Sequence, residues 1–172
     1  MGDSLTVQAR ASLRAQLDHY TLKVGALFGE GISGGALSRY MAAPIMPAVA
    51  ADYAQDQPDV LVIALGTNDV WQPGYGADSF EMAWHHTLRQ FPGACTVGVT
   101  VTETDQVLLY SREEAQKVNR VIRRTADVVI DWAEIGKSPD YTTPDNIHLT
   151  ANGRTHFAEL IAAGVAECAA RT

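Results

Sequence analysis

The chain has 172 residues, a hydrophobic fraction of 47% and a formal net charge of −7 at pH 7. This length suits one domain with a sizeable core. The acidic balance argues against a nucleic-acid partner, which needs clustered Lys and Arg, and no apolar run approaches the ~20 residues of a membrane helix. Composition leaves the oligomeric state open.

Hydrophobic periodicity predicts helices and strands in alternation along the chain. Residues 5–17 have apolar side chains at helical spacing, and Ser4 is a candidate cap for that helix. The continuously apolar run at 60–65 is typical of a strand that is buried on both faces. The predicted elements of the first half are a helix at 5–17, a strand at 20–27, a glycine-rich loop at 29–35, a helical stretch at 36–53 that Pro44 and Pro47 interrupt, and a strand at 60–65.

The second half continues the same alternation. Its predicted elements are a loop at 70–78, a helix at 78–91, a strand at 95–101, a helix at 111–125 that starts with a Ser111/Glu114 capping box, a short strand at 128–130, a long loop at 132–148 and a helix at 150–170 that Thr150 caps. Alternating strands and helices predict an α/β fold, in which a parallel sheet carries helices on both faces. We interpret residues 1–172 as a single domain.

Chemically useful side chains lie at the start of the first helix and after predicted strands. Ligands of parallel α/β sheets bind outside the carboxyl ends of the strands, so residues 66–69, Glu103 and the loop before the last helix should gather at one edge. A serine hydroxyl needs a base to become a nucleophile, and a carboxylate can hold a histidine in the useful tautomer. Ser4, Asp145 and His148 are therefore the candidate nucleophile, orienting acid and base.

Four short blocks spread over most of the chain resemble those of the SGNH or GDSL hydrolase family. They are Gly2-Asp3-Ser4-Leu5, Gly34 within residues 31–34, Gly66-Thr67-Asn68-Asp69 and Asp145-Asn146-Ile147-His148. The resemblance implies a flavodoxin-like three-layer α/β/α fold and a serine esterase or acyltransferase that needs no cofactor.

The same resemblance implies a role for each matched residue. Ser4 is the nucleophile, His148 is the base and Asp145 orients His148. The backbone N–H of Ser4, the N–H of Gly34 and the side-chain amide of Asn68 form the oxyanion hole. Independently of the family, a helix N-terminus and a neutral amide donor are suited to hold a developing oxyanion.

The chain departs from the family at its start. The family's first central strand precedes the Gly-Asp-Ser motif, whereas here only Met1 precedes it. We therefore expect four strands and an empty or differently filled position in the sheet. Our hypothesis is that the native protein is longer at its N-terminus.

Two other kinds of site fit the sequence less well. Residues 29–34 match the dinucleotide fingerprint G-x-G-x-x-G, but Asp52 and Asp56, at about the required distance, lie in a helical stretch instead of at a strand end. Neighbouring residues of a helix diverge by ~100°, so His85 and His86 are poorly arranged to share a metal ion. We predict no metal site.

Several assignments stay open from sequence. Trp71 either contacts substrate or covers the core, and Asp69 is interpreted as structural, with hydrogen bonds inside its own loop. Cys95 and Cys168 are either two buried thiols or a disulfide, because the predicted fold brings both to the end of the sheet opposite the site. A disulfide favours an extracytoplasmic location.

The sequence also leaves the second half of the reaction open. The favoured interpretation is that the protein hydrolyses carboxylic esters with small acyl or O-acetyl groups. The alternative is an O-acyltransferase of cell-wall or surface glycans that uses the same residues. A non-catalytic glycan-binding module fits less well, because the candidate catalytic residues are all present. The expected partners are a small-molecule or glycan ester.

Overall fold

The computed structural model describes residues 1–33, 45–71, 76–107 and 110–171. The helices and strands of these ranges are α1 (Ser4–Gln16), α2 (Ile45–Ala54), β1 (Val60–Ile63), α3 (Thr67–Trp71), α4 (Ala77–Leu88), β2 (Cys95–Val99), α5 (Arg112–Thr125), β3 (Val128–Ile130), α6 (Trp132–Ile135) and α7 (Ala151–Ala169). Within them, no helix combines the length and the apolar character that crossing a membrane requires.

The strands form a parallel sheet in which β2 lies between β1 and β3. Neighbouring residues of a strand point to opposite faces. Val97 of β2 faces α7 at Gly164, whereas Gly98 faces Ile122 of α5 and Trp84 of α4. Helices therefore cover both faces of the sheet, and α1 packs against α7 on one of them. This arrangement confirms the predicted α/β fold class.

The position next to β1 is filled by the first two residues of the chain. Gly2 forms isolated parallel bridges with Ala26 on one side and with Ala64 on the other. Segment 1–2 therefore lies between residues 20–27 and β1, where the family's first central strand is expected. The predicted strand at 20–27 is wrong, because these residues form one isolated bridge, between Ala26 and Gly2, instead of a ladder of paired residues.

Most predicted helices are present, with shifts at their ends. Ser111 caps α5 and accepts a hydrogen bond from the Glu114 N–H at 3.2 Å. The Glu114 carboxylate instead accepts from the Ala77 N–H at 2.8 Å, so it joins α5 to the start of α4 and does not complete a capping box. Thr150 caps α7 as predicted. The predicted loop at 70–78 overlaps the end of α3 and the start of α4, and the predicted loop at 132–148 contains α6.

A disulfide joins the start of β2 to the last turn of α7. Cys95 and Cys168 are bonded, and their Cα atoms lie 5.6 Å apart. The bond therefore connects the sheet to the helix that covers it, at the end where β2 begins.

We expect loss of this bond to destabilise the protein strongly. The bond closes a loop with a sequence separation of 73 residues, and chain-entropy reasoning assigns about 4 kcal/mol of unfolding free energy to a loop of that size. Thermal unfolding with and without dithiothreitol should show a fall in Tm on the order of 10 °C. The Cys95→Ala/Cys168→Ala variant is the control, since its Tm should not respond to reductant. An unchanged Tm for the reduced wild type would contradict the prediction.

Candidate active site

Ser4 is the first residue of α1, and its neighbour Asp3 caps that helix. The Asp3 carboxylate accepts a hydrogen bond from the Leu5 N–H at 3.0 Å. The prediction that Ser4 is the cap is therefore wrong, because the acidic side chain before it reaches the unpaired N–H. Ser4 is 6% exposed and lies at the positive end of the helix dipole. Its hydroxyl is not used for capping.

The loop before α7 joins Asp145 to His148. Oδ2 of Asp145 lies 2.7 Å from Nδ1 of His148. Oδ1 accepts hydrogen bonds from the Thr143 hydroxyl at 2.7 Å and from the N–H groups of Ile147 and His148 at 2.9 and 3.0 Å. Asn146 has a left-handed φ of 56° that tightens the turn. Because Nδ1 faces Asp145, Nε2 is the ring nitrogen left for chemistry.

This network also sets the charge state of Asp145. Partial burial raises the pKa of Asp145, but the hydrogen bonds from His148, Ile147 and Thr143 outweigh it and hold that pKa well below its usual range. The side chain is therefore a carboxylate at any pH at which a histidine base works.

The loop that carries His148 is attached to α1. The Leu149 N–H donates a hydrogen bond of 2.9 Å to the side-chain oxygen of Gln8. Gln8 lies four residues after Ser4, and residues four apart share one helix face. The structure thus joins the loop of the Asp145–His148 pair to α1, one helical turn from the end of that helix at Ser4.

Residues 66–69 lie beside the same helix end. The Thr67 hydroxyl hydrogen-bonds to the Asp3 carboxylate. Asn68 is buried, and its side-chain amide donates to the Glu30 carbonyl at 2.9 Å. Gly66 has a φ of 130°, and a Cβ there would lie 3.0 Å from the nearest side-chain atom of Val101, so only glycine fits at this turn.

Asp69 holds a different segment from the one expected. Its fully buried carboxylate accepts hydrogen bonds from the N–H groups of Ile32 and Ser33 at 2.9 and 2.8 Å, and from the Ser33 hydroxyl. The prediction that its bonds stay within residues 66–69 is therefore wrong. Gly34, the predicted oxyanion donor, lies outside the described residues, and Asp69 fixes the backbone directly before it.

The other residues expected at this edge have separate positions. Glu103 accepts hydrogen bonds from Gln116 and Asn119 of α5, at 3.2 and 3.0 Å, so it anchors that helix. Trp71 ends α3 with 37% of its surface exposed. In the ranges that the structure describes, His, Cys, Asp and Glu form no group of three that could hold a metal ion. The metal-free site stays a prediction.

Asp3 is a buried carboxylate in the middle of these groups. Burial raises its pKa to about 7, the hydrogen bonds from Leu5 and Thr67 oppose that rise, and the charge of Asp69 adds to it. An unfolded chain loses this proton near pH 4. The stability that comes from the retained proton is therefore complete below about pH 4 and is lost as the pH rises through about 7.

We expect Asp3→Asn to change how stability depends on pH. Asparagine is an equally good helix cap and does not ionise. The Tm of the variant, relative to the wild type, should rise by several degrees between pH 4.5 and pH 8. Asp140→Asn, at an exposed aspartate in the loop before α7, is the control and should leave the pH dependence unchanged. Parallel curves of Tm against pH for wild type and Asp3→Asn would contradict the assignment of the raised pKa to Asp3.

Comparison with known families explains why these blocks occur together. Residues 1–155 match the profile of the GDSL-like Lipase/Acylhydrolase family. The chain belongs to this family. It is therefore an enzyme that hydrolyses ester bonds, and the resemblance inferred from the four blocks is confirmed. No curated protein sequence matches this GDSL-like hydrolase.

Solved structures share the fold of the GDSL-like hydrolase at low sequence identity. The lipase/acylhydrolase from Enterococcus faecalis superposes with a TM-score of 0.70 at 14% identity, over 95% of this chain and 92% of that chain. A carbohydrate esterase family 3 enzyme from Talaromyces cellulolyticus gives 0.71 at 17%, over 100% and 97%. A peptidoglycan O-acetylesterase gives 0.58 at 18%, over 86% of this chain and 46% of that chain. These likenesses establish the fold.

Proposed function

We propose that this GDSL-like hydrolase removes small acyl groups, such as O-acetyl groups, through a covalent acyl-enzyme on Ser4. The observation that carries the proposal is the 2.7 Å contact between Asp145 and His148. It belongs to a loop that is hydrogen-bonded to the helix that begins at Ser4. These two contacts support a nucleophile, a base and an orienting acid that act together near the start of α1.

The reaction proceeds in two half-reactions. Oγ of Ser4 attacks the acyl carbon while Nε2 of His148 takes the hydroxyl proton. The tetrahedral intermediate collapses, the ester C–O bond breaks, and His148 gives the proton to the leaving alcohol. Water then attacks the acyl-enzyme, His148 takes a proton from that water and returns it to Ser4, and the free acid leaves.

We assign the oxyanion of each intermediate to three hydrogen-bond donors. The Ser4 N–H lies at the start of α1, where the helix dipole favours negative charge. The Asn68 amide carries two N–H donors, and its bond to Glu30 fixes the plane of the amide. The second N–H donates to the oxyanion. The Gly34 N–H is the third donor, and Asp69 anchors the two residues before it.

The substrate proposed is an O-acetylated glycan or a similar small ester. Two structural neighbours are a carbohydrate esterase and a peptidoglycan O-acetylesterase, which supports this choice. Trp71 is exposed at the last position of α3, the same short helix that contains Asn68. We assign its ring to stacking against a sugar, because aromatic faces bury large apolar area against such ligands.

Labelling with a fluorophosphonate tests the nucleophile directly. We expect one adduct, on Ser4 by peptide mass spectrometry, and none in Ser4→Ala. An adduct at another serine, or no adduct on a folded protein that cleaves p-nitrophenyl acetate, would overturn the proposal.

Adding sugar acceptors to the p-nitrophenyl acetate assay separates the two fates of the acyl-enzyme. Free acetate as the main product supports hydrolysis, and a sugar ester as the main product identifies the O-acyltransferase alternative.

The disulfide supports an extracytoplasmic site of action. Disulfides persist in oxidising compartments and are rare in reducing ones, and both cysteines of the chain are bonded to each other. Thiol titration of protein recovered from its native host under acid quench should find no free thiol. Two titratable thiols would contradict this location.

A further inference from the structure

We propose that Gln8 is a positioning residue that sets the separation between the base and the nucleophile. The inference rests on the proposed roles of Ser4 and His148. It concerns the single side-chain bond described above, in which Gln8 accepts from the residue that follows His148.

The bond connects the loop that carries His148 to the helix that begins at Ser4. Gln8 lies one helical turn after Ser4 on the same face of α1. Its side-chain oxygen accepts the Leu149 N–H at 2.9 Å. The position of the Gln8 side chain on α1 therefore sets where the loop of His148 lies relative to the Ser4 hydroxyl.

The Leu149 N–H requires this partner. Leu149 is 1% exposed, and a buried N–H without an acceptor is costly. The hairpin that contains it makes its own bonds on the other side, where the Thr143 N–H donates to the His148 carbonyl at 2.7 Å and the Thr150 N–H donates to Tyr141 at 3.0 Å. The Leu149 N–H is thus directed to α1, and Gln8 supplies the acceptor.

Gln8 and Asp145 control different aspects of His148, the position of its loop and the orientation of its ring. Asp145 sets the orientation of the ring through Nδ1. Packing of α1 against α7 brings the two elements together. The Gln8 bond holds the loop at the residue directly after His148. A misplacement of about 1 Å in an active site can cost on the order of 10²-fold in rate.

A pair of near-isosteric variants separates positioning from packing. Gln8→Met keeps the length of the side chain and removes the acceptor, whereas Gln8→Glu keeps an oxygen at the same position. We expect Gln8→Met to lower kcat for p-nitrophenyl acetate, and the rate of fluorophosphonate labelling of Ser4, by ~10- to 100-fold. KM should change little, and Gln8→Glu should recover most of kcat. Gln16→Met, at the exposed last residue of the same helix, is the matched control and should behave as the wild type.

Each outcome decides one inference. Wild-type kcat and labelling rate in Gln8→Met would overturn the role of Gln8, and so would an equal loss in Gln8→Met and Gln8→Glu. If Gln8→Met does not fold by circular dichroism, Gln8→Asn, whose amide is one methylene too short, gives the same test. Ser4→Ala is measured alongside. Activity retained in Ser4→Ala refutes the proposed function, whereas an inactive Ser4→Ala with a normal Gln8→Met refutes only the inference on Gln8.

Discussion

Ser4→Ala will lower kcat for p-nitrophenyl acetate by on the order of 10⁶-fold, whereas Asn68→Ala will lower it by ~10²–10³-fold. The first substitution removes the proposed nucleophile, on which the acyl-enzyme would form. The second removes one of three proposed oxyanion donors and leaves the covalent pathway intact. The gap of three or more orders of magnitude therefore distinguishes a nucleophile from an electrostatic contributor.

Both variants are expected to fold. Asp3, not Ser4, caps α1, so alanine at position 4 leaves the capping bond to Leu5 in place. Ser12→Ala, the same substitution later in α1, is the matched control and should keep wild-type kcat. Measured kcat, fluorophosphonate labelling and Tm for all three variants complete the test. A kcat in Ser4→Ala that exceeds one hundredth of the wild-type value would refute the assignment of the nucleophile.

Asp145→Asn should lower kcat by about 10⁴-fold, which is the second-largest effect expected. Asparagine preserves an acceptor oxygen for the Thr143 hydroxyl and for the two N–H groups of the turn. The loop therefore keeps its shape. The amide nitrogen that replaces Oδ2 cannot accept from Nδ1 of His148, so the ring is no longer held in the tautomer that leaves Nε2 free to take a proton.

The control for this variant lies in the same loop. Asp140 is exposed, and Asp140→Asn should leave kcat near the wild-type value. Asp145→Asn and wild type should have similar far-UV circular dichroism. If Asp145→Asn loses less than about tenfold in kcat, Asp145 is not the partner of the catalytic base.

Features encoded over a few residues were predictable from the sequence. Asp145 and His148 are three residues apart, and a tight turn is enough to bring a carboxylate to a ring nitrogen. The caps Ser111 and Thr150 act on N–H groups three residues on. The fold class followed from the alternation of strands and helices, because buried parallel strands read as apolar runs.

Features that depend on distant neighbours were not predictable. Residues 20–27 have the alternation of a strand, but a strand needs a partner, and here the partner offers one bridge at Gly2. The Asp69 carboxylate accepts a hydrogen bond from the N–H of Ser33, which lies 36 residues earlier in the chain. The cap of α1 was ambiguous, because Asp3 and Ser4 are adjacent and both residue types are good caps. The competition is decided by which side chain reaches Leu5.

The bond between Cys95 and Cys168 has a practical consequence for spectroscopy of this enzyme. The sequence contains two cysteines, and the disulfide uses both. A cysteine introduced at a surface position is therefore the sole target for a maleimide dye or a nitroxide spin label. Met82 is 69% exposed on α4, so Met82→Cys offers an attachment point for one label that reports on the environment of α4 during turnover.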